Sequence, residues 1–255
     1  MTGRVYLVGA GPGSPDLMTL RAAEVLRRAD VVFHDSLVHP GTLAFAVSAE
    51  KIAVGKRSGR RSTAQKFINK RLVDAARKHA VVVRLKGGDP LLFGRAQEEI
   101  DALRRAGVDL EIVPGVTAAT AAAAELGVSL TRRGLSRHVV FVTPRAGQGE
   151  RGNDWAASVL AADTAVVYMG AGLARAMCAE LVGRGKPPGT PVAVVENASL
   201  PDRRMLFGTL AQLPALAHRT GDGPAVVIVG EVLKDALALR EPEFAEEIEA
   251  LLKRG

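Results

Sequence analysis

The strongest constraint on the fold is an alternation: short apolar runs of strand length recur with longer stretches of helical periodicity between them. In the first half the runs are Val5–Gly9, Val31–His34, Ile52–Val54, Ala80–Leu85 and Leu110–Val113. The stretches between them, including Leu17–Arg28, Thr63–His79 and Gln97–Ala106, carry apolar residues at helical spacing, with Arg, Lys and Glu on the opposite face. Parallel strands cannot be joined by a tight turn and need a crossover, so this succession predicts a parallel sheet with crossover helices. A second series follows, His138–Thr143, Thr164–Tyr168, Pro191–Glu196, Met205–Gly208 and Ala225–Gly230, with helices near Ala156–Ala162, Leu173–Arg184 and Leu210–Ala217. The expected fold class is α/β, as two α/β domains over 1–130 and 131–240. The break falls after the Ala-rich helix Ala118–Leu126, around Ser129–Leu135. Gln148–Asp154 reads as a Gly- and charge-rich loop, and 241–255 as a helical tail in which Phe244–Arg254 is amphipathic.

Composition limits what such a chain can do. At 255 residues, 47% hydrophobic and 24% charged, it can bury a real core, and with aromatics at 4% that core must be Ala, Val and Leu. The single cysteine, Cys178, excludes an intramolecular disulfide, a thiolate zinc site and a CxxC motif, and suits a reducing compartment. The five histidines lack zinc-type spacing, so no metal is expected. No apolar run approaches the roughly 18 residues that span a bilayer, and Val5 to Val8 is too short for a signal-peptide core. The expectation is a cytoplasmic protein without a membrane partner. A net charge of +7, with Glu241, Glu243, Glu246, Glu247 and Glu249 crowded at the C-terminus, favours an anionic partner. Stacking aromatics are scarce, so a small polyanionic substrate explains the charge better than nucleic acid does.

The chemistry concentrates where strands end. The first strand runs into Gly9-Ala10-Gly11-Pro12-Gly13-Ser14-Pro15. Glycines there permit a tight turn and close approach of a ligand, but Ser14 stands where a GxGxxG fingerprint needs its third glycine, and Pro12 and Pro15 remove amide donors. Asp35, ending the second strand, keeps a ribose-binding alternative open. Gly55-Lys56-Arg57 is not a Walker loop. The densest segment is Arg84-Leu85-Lys86-Gly87-Gly88-Asp89-Pro90-Leu91-Leu92-Phe93-Gly94-Arg95. Its paired glycines are expected to expose backbone amides and carbonyls, and Asp89 to offer a carboxylate, at the strand end where open α/β sheets bind ligands. Val113-Pro114-Gly115-Val116-Thr117 again joins strand to helix, with Thr117 either a helix cap or a ligand contact.

Together these segments, with His34-Asp35-Ser36-Leu37-Val38, Leu130-Thr131-Arg132-Arg133, Tyr168-Met169-Gly170 and Glu196-Asn197-Ala198, resemble the tetrapyrrole methylase family, and within it the uroporphyrinogen-III C-methyltransferase branch. The resemblance covers about residues 3–235. It implies a two-domain, usually homodimeric fold with S-adenosylmethionine (SAM) in a cleft between the halves. It also implies two successive methyl transfers to C2 and C7 of uroporphyrinogen III, giving precorrin-2 for sirohaem or cobalamin and releasing S-adenosylhomocysteine. Carried over by position, the SAM contacts are Pro12, Gly87, Gly88, Asp89, Leu92, Thr117, Ala118, Met169 and Ala198; the proton acceptor is Asp35 and the proton donor Lys56. Ala198 stands where the family often has glycine. The substrate's eight carboxylates suit fork-like arginines, for which Arg60, Arg61, Arg132 and Arg133 are the candidates, each of them otherwise a solvated surface charge. The competing readings are the same fold acting on another acceptor, and a basic protein that binds nucleic acid without methyl transfer.

Overall fold

The computed structural model describes residues 2–54, 61–147 and 152–239, with the backbone alone for 61–64. Lys56 and Arg60, the Arg61 side chain and the expected tail at 241–255 therefore lie outside the described residues, as does 148–151 of the expected Gly-rich loop. The chain divides into two compact units, Met1–Ala118 and Ala119–Gly255.

In the first unit the order is β1 (Arg4–Gly9), α1 (Leu20–Arg27), β2 (Val31–His34), α2 (Pro40–Leu43), β3 (Glu50–Ala53), α3 (Arg61–Ala76), β4 (Val81–Lys86), α4 (Ala96–Arg105) and β5 (Asp109–Val113). The strands form a five-stranded sheet in the order β3-β2-β4-β1-β5, and every pairing is parallel. Beyond its exposed first residue, β1 is buried along its length, as a strand covered on both faces must be. The alternation of side chains sorts the two faces. Tyr6, Val8, Val32, Val83 and Leu85 pack with Val25 and Leu26 of α1. Val5, Val31, Phe33 and Val82 pack with Ile68 and Leu72 of α3 and Leu103 of α4. Thr19 caps α1 by accepting from the Ala22 N–H, which sets the start of that helix later than apolar spacing suggests.

This layering positions the site. The connection leaving β1 leads to α1 on one face, whereas that leaving the adjacent β4 leads to α4 on the other. The two connections run to opposite faces, the strand-order reversal at which open α/β sheets bind ligands.

The division at Ala118 falls before α5 (Ala118–Leu126), not after it as the sequence suggests. The helix is tied into the second unit: the Ala119 N–H donates to the Tyr168 hydroxyl at 3.0 Å, and Glu125 pairs with Arg203. That unit continues with β6 (Val139–Val142), α6 (Trp155–Ala161), β7 (Thr164–Tyr168), α7 (Ala174–Gly183), β8 (Pro191–Glu196), β9 (Arg204–Thr209), α8 (Leu213–His218), β10 (Ala225–Gly230) and α9 (Lys234–Ala238). Its sheet, β6-β7-β10-β8-β9, is mixed: β6 and β7 are parallel, and every other pairing is antiparallel. The cause is local. β8 and β9 are joined by the tight turn 197–203, closed by Leu200 and Arg203 N–H groups on the carbonyls of Asn197 and Leu200, with no crossover helix. Val159 of α6, Met177 and Leu181 of α7 and Leu213 of α8 pack on Val167, Val192, Val194 and Val227. Among the described residues no helix is long and apolar enough to cross a membrane.

Candidate active site

Strand register brings the glycine loops of the first unit to one edge. Gly9 pairs with Lys86 and His34 with Leu85, so the chain leaves β1, β2, β4 and β5 at the same end of the sheet. There the loops touch backbone to backbone. The Gly88 N–H donates to the Gly11 carbonyl at 2.7 Å and its carbonyl accepts from the Gly11 N–H at 3.3 Å. A Cβ on Gly115 would lie 2.3 Å from the Gly88 oxygen and 2.8 Å from the Gly9 Cα, and one on Gly9 would meet Gly115 at 2.6 Å. Side chains are excluded because other backbone already occupies their volume. Gly88 is a glycine for a different reason: a Cβ there would stand in open space, but its φ is +67°.

The expected exposed amides of the Gly-Gly pair are instead used to hold the loops together. The Gly87 N–H donates to the Asp35 carboxylate at 3.3 Å, and the other Asp35 oxygen accepts from the Leu37 N–H at 3.0 Å. Asp89 likewise spends both oxygens, on the N–H groups of Leu91 at 2.8 Å and Gly115 at 3.0 Å. Buried or half-buried backbone donors need partners, and these two carboxylates supply them. Asp35 and Asp89 are both half-buried, so each keeps an accessible edge.

Of the predicted residues, Pro12, Asp35, Gly87, Gly88, Asp89 and Leu92 lie in this loop cluster; the Leu92 N–H closes a turn on the Asp89 carbonyl. Thr117 immediately precedes α5 and Ala118 begins it, in the loop that Gly115 anchors. In the second unit Met169 follows β7 with φ +56° and is 43% exposed, whereas Ala198 is buried in the turn after β8, between Asn197 and Ser199, both at positive φ. Non-glycine residues held in this region are strained and concentrate at functional turns. Arg132 is ion-paired with Asp235 at 2.7 Å, and Arg133 is exposed.

Beneath the loop lies a feature that residue type alone places wrongly. Glu99 of α4, expected as a charged residue on the solvated face, is fully buried, at the helical spacing it shares with Ala96, Ile100 and Leu103. It accepts from Lys86 Nζ at 3.2 Å on each oxygen, from Arg84 Nε at 3.1 Å and from Gln65 Nε2 at 3.1 Å. Arg84 also donates to the carbonyls of Phe33 and Leu85. Burial, reinforced by the Arg84 charge, pulls the Lys86 ammonium below the ordinary lysine range, opposed by Glu99 and Asp35. The legible signal was Arg84 and Lys86 two apart on one side of a strand buried on both faces.

A parallel α/β unit whose backbone loops are packed on one another at a switch point, followed by an α/β unit with a mixed sheet, makes this an α/β protein of two units. The chain belongs to the Tetrapyrrole (Corrin/Porphyrin) Methylases, whose family model matches residues 4–214. A uroporphyrinogen-III C-methyltransferase of Pseudomonas aeruginosa is 45% identical over 93% of this chain and 97% of its own length. A siroheme synthase of Zymomonas mobilis is 44% identical over 90% of this chain but 49% of its own, so the chain spans about half the length of the siroheme synthases it matches. The uroporphyrin III C-methyl transferase of Thermus thermophilus superposes with a TM-score of 0.79 at 40% identity, covering 91% of this chain and 94% of that one. The same enzyme complexed with S-adenyl homocysteine gives 0.78, covering 91% and 99%.

Proposed function

We propose that this chain is a SAM-dependent uroporphyrinogen-III C-methyltransferase that adds methyl groups in succession at C2 and C7 to give precorrin-2, the precursor of sirohaem and cobalamin. The observation that carries this reading is the packing of the Gly11, Gly88 and Gly115 loops at one sheet edge, beside Asp35, in a member of this family. The names of the relatives, and the S-adenyl homocysteine with which the Thermus enzyme is complexed, support it.

The residues fit such a donor. Gly88 turns its missing side chain to open space, leaving a shelf of backbone that a nucleoside can approach closely. Pro12, Gly87, Gly88, Asp89, Leu92, Thr117 and Ala118 would hold SAM from the first unit, and the resemblance adds Met169 and Ala198. When bound, SAM supplies an electrophilic methyl group on a sulfonium. The chain's task is then alignment and exclusion of water, because in-line attack by a pyrrole carbon rewards a fixed approach. On this reading Asp35, held at Gly87, takes the proton that the methylated macrocycle loses from a pyrrole N–H or a bridging carbon, since C2 and C7 already carry an acetate arm and no hydrogen, and Lys56 is the matching donor. Arginines such as Arg133 pair with acetate and propionate arms, so apparent substrate affinity falls as ionic strength rises. The same reading makes the protein a cytoplasmic homodimer.

The test is to incubate the protein with SAM and freshly generated uroporphyrinogen III and count added methyl groups by mass. Two are expected. Methylation of a different tetrapyrrole alone would shift the acceptor, and no transfer with salt-sensitive binding to DNA or RNA would overturn the reading.

A further inference from the structure

We infer that Lys86 and Glu99 are positioning residues, a buried clamp that holds the 87–95 loop in shape for its ligand. The clamp joins the two ends of that loop: Lys86 is the last residue of β4, and Glu99 lies in the first turn of α4, on the far side of it. The loop folds back over the lysine stem, since a Cβ on Gly94 would come 3.1 Å from Lys86 Cε and 2.5 Å from the Pro90 oxygen. Within it Gly88, Phe93 and Arg95 all hold positive φ, at 67°, 53° and 54°. Such a conformation persists when its surroundings over-determine it.

The charge count separates this role from plain stabilisation. Arg84 and Lys86 bring two cations to one carboxylate, with side chains 5%, 6% and 0% exposed, and Gln65 adds a hydrogen bond but no charge. Asp35 adds a weaker electrostatic compensation at Lys86. A methionine at position 86 would leave Arg84 and Glu99 balanced, and replacing buried ionic groups by apolar ones of similar volume is often neutral or stabilising. Stability therefore gives no reason for the second cation. Its geometry does: Lys86 is the group that ties the strand end next to Gly87 to α4. Fixing a binding loop beforehand lowers the ordering penalty of binding.

The inference rests on the proposed SAM site, so its test has one arm that needs no ligand. Wild type, Lys86→Met and Glu99→Gln are compared by thermal unfolding, by hydrogen exchange of the amides of residues 87–94 without ligand, and by calorimetric titration with S-adenosylhomocysteine. For Lys86→Met we expect an unchanged or higher Tm, loop exchange faster by about tenfold, and affinity weaker by about tenfold. Glu99→Gln, which strands two buried cations, should lower Tm where Lys86→Met does not. Loop exchange or affinity within about twofold of wild type in Lys86→Met would overturn the inference. So would failure of Lys86→Met to fold, because the charge count predicts a balanced remainder. A wild type that binds no S-adenosylhomocysteine would instead sink the SAM reading and leave loop exchange to decide.

Discussion

The carboxylate of Asp89 accepts a hydrogen bond from the backbone N–H of Gly115 at 3.0 Å, which ties the loop after β4 to the loop after β5. Its other oxygen accepts from the Leu91 N–H, so a single side chain fixes the start of one loop and its distance from another. An anion with two acceptor oxygens can do this; a neutral amide has one.

Asp89→Asn should therefore leave one backbone donor facing an NH2 group, at a penalty of about 1 kcal/mol for so half-buried a site. Denaturant unfolding should show the loss, and S-adenosylhomocysteine affinity should weaken with it. If both stay at wild-type values, the carboxylate does not brace the loops.

Gly115→Ala is the sharper steric test, because the added methyl meets backbone of Gly88 and Gly9 that cannot swing aside. We expect destabilisation of about 1–3 kcal/mol, as for other overpacked sites, and loss of cofactor binding. Gly183→Ala at the end of α7, where nothing stands within 4 Å of the new methyl, serves as the control and should leave binding unchanged. Retained affinity in Gly115→Ala would show that the three loops can separate without harm to the site.

Lys86 makes a prediction about pH. Burial among Arg84, Gln65 and Glu99, within the field of Asp35, lowers its folded-state pKa from the ordinary 10.5. In the window below that ordinary value the unfolded chain binds more protons than the native one, so this lysine makes stability rise with pH there. Unfolding free energies of wild type and Lys86→Met, measured from about pH 7 to about pH 10, should converge or cross as the penalty of the buried charge is relieved. Parallel curves would mean that the ammonium is not destabilised by its site.

Asp35→Asn keeps the size of the side chain and one acceptor for the Gly87 and Leu37 amides, but not a base. Turnover should drop by at least roughly tenfold, the range for a lost acid–base group, while S-adenosylhomocysteine affinity changes far less. Wild-type turnover would leave Asp35 as a brace for Gly87 and nothing more.

The loops themselves were legible in the sequence because their causes are local. A short apolar run makes a strand, glycines at or just after its end make the turn, and β1, β4 and β5 each carry that signature within a few neighbouring residues. The roles of the polar groups were not legible. That Gly87 donates to Asp35, fifty-two positions away, and Gly115 to Asp89 follows from the strand order β3-β2-β4-β1-β5, which places β4 between β2 and β1. Nothing in either loop encodes that order. The same holds in the second unit, where β10 enters antiparallel between β7 and β8. Glu99 is the clearest case: its charge assigns it to water although its spacing on α4 matches that of Ala96, Ile100 and Leu103, and only the arrival of Arg84 and Lys86 from β4 and Gln65 from α3 makes a buried carboxylate tolerable there. The sequence by itself determined which segments become strands, helices and turns, since propensity and periodicity act over one or two turns of chain. The tertiary structure alone decided which charges meet, because a buried ion survives only among partners brought together from distant segments.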